Sequence, residues 1–292
     1  MKIGLITRNE NGWHSTRLQE AIRRQNITPL CFTFRQLLAR VKYKPIASTE
    51  LINILKDLTA IIVRSIGRGS LEEIIFRMDF LHRFERLGML IINPAESIEC
   101  AVDKYYALTL LEEKGLPVPR TAVTENPNQA LKAFYELGED VIIKPIFGSR
   151  GIGSTRISDP EVATRVFRAV SFYHGVLYLQ EFIPHGDSDI RVFVIGNRVL
   201  ASMRRIANSW KTNVSLGAKP KPIKLDKELA NLSVKAAETI GCKVAGVDIL
   251  EGPNGPVIIE LNSQPGWSGL QSVTAVDIAY EIVKYVVNEL KK

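Results

Sequence analysis

The pattern of apolar residues changes once along the chain, near residue 95, and this change most constrains the fold. Before it, short apolar runs such as KIGLIT and TAIIVRS alternate with segments of helical periodicity at 15–25, 49–56 and 71–87. Strands that alternate with helices form parallel sheets, because the chain returns to the same end of the sheet through each helix. Residues 1–95 are therefore predicted to form an N-terminal parallel α/β domain.

Beyond residue 95 the sequence favours antiparallel hairpins mixed with helices. A helix is predicted from Ser97 to Gly115, another at 161–171 and a third at 227–240, and turn signals stand at Gly196-Asn197 and in GPNGP at 252–256. The predicted fold class is thus α/β plus α+β. The parallel domain is followed by a central α+β lobe over 96–184 and a C-terminal α+β lobe over 185–292.

Composition excludes several classes of protein. With 46% hydrophobic and 24% charged residues among 292, the chain belongs to the ordinary globular class, not to disordered or collagen-like proteins. No apolar run approaches the roughly 18 residues of a membrane span, and the first residues turn polar too soon for a signal peptide. We expect a soluble, cytoplasmic protein with no membrane partner.

Cysteine and histidine patterns favour neither a zinc site nor covalent hydrolysis. The cysteines are three, far apart and without a CxxC, so we expect small core residues instead of disulfides. The four histidines share no ligand spacing, and no serine or cysteine stands in a nucleophile motif.

Net charge is +7, which favours anionic partners such as nucleotides and carboxylates without choosing among them. A nucleic-acid-binding protein is a rival that charge alone motivates. The densest basic stretch, 219–227, is interrupted by prolines and lacks interleaved aromatic residues. We therefore expect no nucleic acid partner.

The strongest chemical signal lies in the last hairpin. If its strands pair symmetrically about Asn254, Asp248 stands opposite Glu260, and both share a face with Asn262. Two opposed carboxylates repel unless a cation lies between them, and oxygen ligands suit Mg²⁺ or Mn²⁺. A solvated acidic strand face is the alternative. The same register sends four apolar residues to the other face, namely Val247, Ile249, Ile259 and Leu261.

A glycine-rich segment, KPIFGSRGIGS, begins at Lys144 between two predicted strands. It is neither a Walker A loop nor GxGxxG, and a flexible hairpin loop is the alternative to a phosphate-binding loop. Glycines let backbone N–H groups approach a polyphosphate closely. The candidate phosphate-binding residues are Lys144, Gly148, Ser149, Arg150, Gly151 and Gly153.

The remaining candidates are individually weak. A strand that runs into a turn at Gln180, Glu181, Phe182 and Ile183 has the form of a nucleotide-binding strand exit, but any strand end offers backbone groups. Separately, the other polar candidates are more typical of ordinary surface residues. They are Lys104, Asp189, Arg191, Arg204, Arg205, Lys211 and Asn213.

Taken together and in order, these segments resemble the ATP-grasp superfamily from about Asn93 to the C terminus, and within it the RimK-like glutamate ligases. The resemblance rests on NPAESIECAVDKYYALTLLEEKGLPVPRT, VIIKPIFGSRGIG, LQEFIPHGDSDIRVFVIG, RRIANSWKTNVSLGAK and VAGVDILEGPNGPVIIELNSQPG. The first 95 residues fit the N-terminal domain of that family in position and pattern, without a diagnostic motif.

The resemblance implies that ATP lies between the two α+β lobes, with Lys104 and Lys144 at its phosphates and the glycine loop closed over them. Gln180 to Ile183 would contact the adenine, and Asp189 would lie near the ribose. Asp248, Glu260 and Asn262 would hold two Mg²⁺ or Mn²⁺ ions. Four residues would face the transferred phosphate or the carboxylate substrate, namely Arg191, Arg204, Arg205 and Asn213.

Departures from related branches narrow the expected substrate. D-alanine ligases have an arginine two residues before the first metal ligand, where this chain has Gly246. The lysine-biosynthesis branch has a tryptophan in the glycine loop and a TMEFKN-like segment after the metal-binding asparagine, where this chain has Arg150 and SQPGWSGLQ. The resemblance thus favours ligases that add L-glutamate to a protein C terminus or to a coenzyme tail, including methanogen pterin and deazaflavin coenzymes.

The sequence therefore predicts an ATP-dependent ligase that forms a C–N bond between L-glutamate and a carboxylate acceptor, and it leaves a homo-oligomer open. Two alternatives stay open as well: a lysine-biosynthesis-type ligase acting on an amino-group carrier protein, and a non-catalytic nucleotide-binding protein. Acceptor selection is expected in the N-terminal domain. The candidates there are Arg17, Arg64, Ser65 and Arg68.

Overall fold

The structure is a computed structural model that describes residues 1–148 and 151–292. The N-terminal part consists of β1 (Lys2–Ile6), α1 (Trp13–Arg24), β2 (Thr28–Phe32), β3 (Leu38–Ala39), β4 (Ala47–Ser48), α2 (Ile54–Asp57), β5 (Ala60–Val63), α3 (Leu71–Arg86) and β6 (Leu90–Ile92).

Four of these strands form the predicted parallel sheet, in the order β2-β1-β5-β6. The apolar stripe of α1 packs on one face through Leu18 and Ile22, and α3 packs on the other through Leu81 and Phe84. A capping box between Ser70 and Glu73 begins α3 where the sequence predicts it. The parallel α/β prediction is confirmed.

The helix predicted over 49–56 is wrong for most of its length. Asn53 caps α2 by accepting a hydrogen bond from the backbone N–H of Lys56, so the helix cannot extend toward residue 49. Residues 49–52 instead form a turn between β4 and α2, in which the N–H of Thr49 donates to the carbonyl of Ile52 at 2.9 Å.

The middle of the chain contains α4 (Ala95–Val102), α5 (Lys104–Glu113), β7 (Thr121–Thr124), α6 (Pro127–Glu136), β8 (Val141–Ile143), β9 (Thr155–Ile157), α7 (Pro160–Phe172) and β10 (Leu177–Glu181). The strands form an antiparallel sheet in the order β7-β10-β8-β9. Helices α6 and α7 pack on it through Phe134 and Phe167.

The helix predicted from Ser97 to Gly115 is broken at Asp103. This residue has an extended backbone, and its carboxylate accepts hydrogen bonds from the N–H groups of Tyr105 and Tyr106, so it ends α4 and caps α5. Helix α5 therefore begins at Lys104, whose side chain extends toward the glycine-rich segment. Helix α6 was missed by the sequence analysis.

The C-terminal part contains β11 (Ser188–Ile195), β12 (Arg198–Ile206), β13 (Lys219–Pro222), α8 (Lys227–Thr239), β14 (Val244–Gly252), β15 (Gly255–Asn262), α9 (Ser268–Gln271) and α10 (Ile278–Glu289). Its antiparallel sheet has the order β13-β12-β11-β14-β15, and the hairpin at Gly196-Asn197 is confirmed. One face packs on α8, α4 and α5; the other contacts the N-terminal part. None of the helices in the described residues combines the length and apolar character that a membrane crossing needs.

In the last hairpin Asp248 pairs with Glu260 as predicted, but the turn and the register differ from the prediction. Gly252 pairs with Gly255, so the turn is not centred on Asn254. A bulge between Asp248 and Ile249 then shifts the register by one residue, which restores Asp248 opposite Glu260.

Because of this register shift, Ile258 and not Ile259 occupies the apolar face of β15. Ile258 enters the core with no exposed surface, whereas Ile259, predicted to be buried there, lines the cleft on the acidic face. A bulge leaves one residue outside the ordinary alternation, which a strict period of two cannot anticipate.

Asn93 joins the N-terminal part to the five-stranded sheet. Its side chain is 1% exposed and lies just after β6. Its Oδ1 accepts from the N–H groups of Lys243 and Val244, each at 2.8 Å, and its Nδ2 donates to the carbonyls of Val244 and Ser263. All four hydrogen-bonding positions of the amide are therefore used.

We expect Asn93→Ala to lower the free energy of unfolding by about 3 kcal/mol, because several buried backbone groups lose their partner at once. Urea denaturation measures the change. Asn128→Ala, at an exposed position in α6, is the control and should stay within about 0.5 kcal/mol of the parent. Equal stabilities of the two variants would contradict the role assigned to Asn93.

Candidate active site

A cleft of about 880 Å³ lies between the middle sheet and the five-stranded sheet. Most of the predicted site residues line it: Lys104, Lys144, Gly148, Gly151, Gln180, Glu181, Phe182, Ile183, Asp189, Arg205, Asn213, Asp248 and Glu260. Gly153 lies between two lining residues in sequence, and Arg191 lies across a strand pair from Asp248. Asn262 follows the lining residue Glu260 by two positions on β15. Ser149 and Arg150 lie outside the described residues.

Two lysines converge at the base of the glycine loop. Lys144 Nζ donates to Gln180 Oε1 at 2.8 Å, and Lys104 Nζ donates to the carbonyls of Ile146 and Gly148, each at 3.0 Å. Burial lowers the pKa of Lys144 to about 8, against the opposing charge of Glu260, and burial also lowers the pKa of Lys104. Desolvated ammonium groups of this kind attract phosphate strongly.

The shifted pKa of Lys144 predicts a pH dependence. Only the protonated amine attracts phosphate, so kcat/KM for ATP should fall as pH rises through about 8, by up to about tenfold per pH unit. A profile of kcat/KM against pH in the free enzyme checks this. Lys144→Arg, with its much higher intrinsic pKa, should move the descending limb upward. A wild-type profile flat to pH 9.5 would exclude Lys144 as the phosphate ligand.

Two arginines fix the buried carboxylates of the five-stranded sheet. Arg191 donates to both oxygens of Asp248, at 2.7 Å for Oδ2, and Arg205 bridges Asp189 at 2.6 Å and Asp248 at 3.1 Å. Burial raises the pKa of Asp248, but Arg191 and then Arg205 outweigh it and hold that pKa below its usual value. Asp248 is therefore ionised, although only 3% exposed.

This network changes the roles expected for three residues. Arg191 and Arg205 were expected to face the phosphate or carboxylate substrate. The guanidinium of Arg191 instead binds Asp248, and that of Arg205 binds Asp189 and Asp248. Asp189 was expected near the ribose, yet it is 2% exposed and Arg205 occupies both its oxygens. These residues position Asp248.

Arg204 lies on the wrong face for the predicted role. It points away from the cleft, where it contacts Glu251 at 2.6 Å and Ser188 Oγ at 3.2 Å. Neighbours along a strand point to opposite faces, and the face taken by Arg205 is the one that bears Asp248. Arg204 is excluded from the cleft.

The acidic face fits a divalent cation. Glu260 has no hydrogen bond or ion pair with any residue of the described ranges, and Asn262 follows it by two residues on the same strand face. A carboxylate offers about four lone-pair positions, and the arginines use three of those on Asp248. Two carboxylates and one carboxamide form an oxygen-only donor set, as Mg²⁺ and Mn²⁺ require.

The glycine loop contacts the segment before β13. Lys211 Nζ donates to the carbonyl of Ser154 at 2.7 Å. Gly151 has φ +69°, and a Cβ there would lie 2.5 Å from Asn213 Oδ1. The positive φ favours glycine at position 151, and the short distance shows that Asn213 lies against the loop there.

Sequence reasoning missed the aromatic wall of the cleft. Phe182 contacts Trp210 and His185 at ring-centroid distances of 6.4 and 6.0 Å, and the Arg156 guanidinium lies 3.5 Å over Phe182. Trp210 gave no signal, because a single aromatic residue in a loop has no periodicity. Together with Leu250 and Ile259, these rings form a wall that suits a flat, apolar ligand group.

The predicted adenine strand is only partly available to a base. Gln180 binds Lys144, Glu181 binds Arg120 at 2.7 Å, and the N–H of Phe182 donates to Asp140. Within the described residues, the N–H of Ile183 has no partner. Ile183 is thus the backbone donor that remains for a ligand.

A cleft with phosphate-attracting lysines, a closing glycine loop and an oxygen-donor face is the arrangement of an ATP-dependent carboxylate ligase. Comparison with known proteins agrees with this class. Residues 101–286 match the RimK-like ATP-grasp domain. The chain belongs to this family, and it is an ATP-dependent ligase that forms C–N bonds. ATP and Mg²⁺ or Mn²⁺ are used generally in the family.

Two curated relatives match the chain from end to end. It is 32% identical over 302 residues to the tetrahydromethanopterin:alpha-L-glutamate ligase of Methanococcus maripaludis, with 100% of both chains covered. It is 30% identical over 323 residues to the ligase of that name from Methanosarcina acetivorans, with 99% of each covered. A probable alpha-L-glutamate ligase of Rhodopirellula baltica is 35% identical over 210 residues, which cover 70% of this chain and 52% of that protein.

Solved structures share the fold at lower identity. The ATP-grasp ligase PsnB with a minimal precursor superposes with a TM-score of 0.79 at 20% identity, covering 98% of both chains. A RimK domain ATP-grasp protein of Sphaerobacter thermophilus gives 0.74 at 19% identity, covering 98% of this chain and 100% of that one. The ATP-grasp fold predicted from the sequence is confirmed.

Proposed function

We propose that the protein joins the amine of L-glutamate to a carboxylate on a coenzyme tail of the tetrahydromethanopterin type. The observation that carries this proposal is the match over the full length of two ligases with that named substrate. The match includes the N-terminal part, where we place acceptor selection. We also propose the functional division into residues 1–95, 96–184 and 185–292.

The proposed reaction has two steps. An acceptor carboxylate oxygen attacks the γ-phosphorus of ATP, which forms an acyl phosphate and releases ADP. The glutamate amine then attacks the acyl carbon, inorganic phosphate leaves, and the nitrogen loses a proton to give the amide. Water must be excluded between the steps because it would hydrolyse the acyl phosphate.

Several residues of this chain have roles in that scheme. Lys104 and Lys144 neutralise charge on the phosphates, and the glycine loop, held by the hydrogen bond from Lys211 and lying against Asn213, covers them. Arg191 and Arg205 keep Asp248 ionised and fixed. We propose that Asp248, Glu260 and Asn262 hold two Mg²⁺ or Mn²⁺ ions, which when bound stabilise charge on the phosphoryl oxygens.

The test is a screen for phosphate release from ATP and Mg²⁺ in the presence of L-glutamate, with pterin coenzyme, deazaflavin coenzyme and peptide acceptors in separate reactions. We expect release with the pterin acceptor, and a product heavier by one glutamate less one water by mass spectrometry. Equal concentrations of glutamate, lysine and alanine in one reaction then test the amine. A product that carries mainly lysine or alanine, or a preference for the peptide, would refute the assignment.

A further inference from the structure

The buried side-chain donors without partners are concentrated in one short segment. Among the described residues, the buried side-chain N and O atoms that lack a hydrogen-bond partner are Asn262 Nδ2, Gln264 Nε2 and Trp267 Nε1. All three are N–H donors, and Trp267 is 1% exposed. A buried donor without a partner loses its hydrogen bond to water and gains none in the protein, so three within six residues indicate a site that receives an acceptor group.

Arg64 brings a positive charge to the same place. It directly follows β5, donates from Nη1 to the carbonyl of Pro265 at 3.1 Å, and lies 4.7 Å over the ring of Trp267. It forms no ion pair with a carboxylate of the described residues. Burial lowers the pKa of Arg64 to about 10, so it is still charged at neutral pH. A mostly buried cation without a counter-ion is costly in a protein that has no anionic ligand for it.

Hydrogen bonds orient the segment around Arg64. The N–H of Ile66 donates to Gln264 Oε1 at 3.2 Å, which turns Nε2 away from that loop. The N–H of Trp267 donates to His14 Nε2 at 3.1 Å. Arg64, Gln264 and Trp267 line one small cavity between the N-terminal sheet and the five-stranded sheet.

The position in the fold agrees with a ligand site. The loop after β5 and the first turn of α1, the helix that follows β1, contact this segment. The strand order β2-β1-β5-β6 reverses between β1 and β5. Open parallel sheets bind ligands at the carboxyl ends of their strands where the order reverses. The segment also continues the acidic strand, since Glu260, Asn262 and Gln264 follow at intervals of two residues.

We propose that Arg64, the amide of Gln264 and the indole N–H of Trp267 bind a carboxylate group of a substrate whose reacting end lies at Asp248 and Glu260. One guanidinium and two neutral donors match a monoanionic carboxylate better than a phosphate dianion. This proposal rests on the proposed function only in that the carboxylate belongs to a substrate, either L-glutamate or the acceptor.

The other residues expected to select the acceptor are less suited to this role. Arg17 is paired with Glu20 at 3.0 Å and with Asp277 at 3.3 Å. Ser65 Oγ accepts the N–H of Gly67, and Arg68 is exposed. Arg64 is the residue of this group that combines burial with a free charge.

The kinetic test uses Arg64→Met in the full chain. We expect the KM of one carboxylate substrate to rise roughly tenfold to 100-fold, with the KM for ATP unchanged. A rise in the KM for glutamate assigns the site to the amine substrate, and a rise in the KM for the acceptor assigns it to the acceptor. Arg24→Met removes an arginine already paired with Asp277 at 2.6 Å and serves as the matched control. Unchanged KM values for both carboxylate substrates would overturn the proposal.

The melting temperature of the Arg64 variants shows whether Arg64 binds a ligand or stabilises the fold. Removal of a buried, uncompensated charge should leave the melting temperature of Arg64→Met unchanged or higher. A lower melting temperature, restored together with activity by Arg64→Lys, would mean that Arg64 is structural and would also overturn the proposal.

A binding measurement keeps this test independent of ligase activity. Tryptophan fluorescence is followed while L-glutamate or glutarate is added without ATP, against sodium chloride of equal ionic strength. A saturable change in the wild type that is lost in Arg64→Met and retained in Arg24→Met supports the site even if every acceptor fails as a substrate. A response that persists in Arg64→Met counts against it.

Discussion

Glu260→Gln should lower kcat at least about 100-fold while the protein still folds. Glu260 has no hydrogen bond or ion pair within the described ranges, so its neutral isostere breaks no native contact. The change removes a charge proposed to hold a divalent cation, and loss of one main electrostatic element typically costs about 10²- to 10³-fold in kcat. Phosphate release at saturating ATP and Mg²⁺ measures the effect.

The matched control is Glu251→Gln on the same hairpin. Glu251 pairs with Arg204 on the face away from the cleft and should retain kcat within about twofold. Wild-type turnover by Glu260→Gln would exclude the acidic face as a metal site. Asp248→Asn is a poorer probe, because it leaves Arg191 and Arg205 buried without their shared carboxylate, which costs about 3–5 kcal/mol of stability.

Lys144→Met should affect activity and stability in opposite directions. Loss of the ammonium group should lower kcat/KM for ATP about 100-fold or more, because its charge-assisted contact to phosphate disappears. The pKa drop from 10.5 to about 8 means that burial of the charged lysine costs the folded protein about 3 kcal/mol at pH 7. After loss of the hydrogen bond to Gln180, we expect a net gain of about 2 kcal/mol in the free energy of unfolding.

The stability gain should depend on pH with a defined sign. The cost of charged Lys144 is fully present below pH 8 and disappears as pH rises toward 10.5, so the advantage of Lys144→Met should shrink over that window. Urea denaturation at pH 7 and pH 9.5 tests this. Lys132→Met, at an exposed position in α6, should change neither property. A Lys144→Met protein with lower stability at pH 7 and normal use of ATP would contradict both assignments.

Features that depend on the local order of residues could be predicted from the amino-acid sequence. The alternation of strands and helices required a parallel N-terminal sheet, and the turn residues at Gly196-Asn197 required a hairpin. The opposition of Asp248 and Glu260 was also predicted from the sequence, although the structure reaches it through a bulge and not through the symmetric turn that the prediction assumed. The ordered motifs from Lys104 to Asn262 were sufficient to recognise the ATP-grasp ligases.

Contacts between distant parts of the chain determine which of these charged and polar groups are free to bind a ligand. The bulge beside Asp248 exchanged Ile258 and Ile259, and the face chosen by β12 separated Arg205 from Arg204. Arg191 and Arg205 are bound by carboxylates from other strands. Arg64, one of four residues that the sequence offered for acceptor selection, has no ion pair within the described ranges and lies near three buried donors without partners there. The physical reason is that a side chain's charge and hydrogen bonds are fixed by residues distant in sequence, and periodicity carries no information about those neighbours.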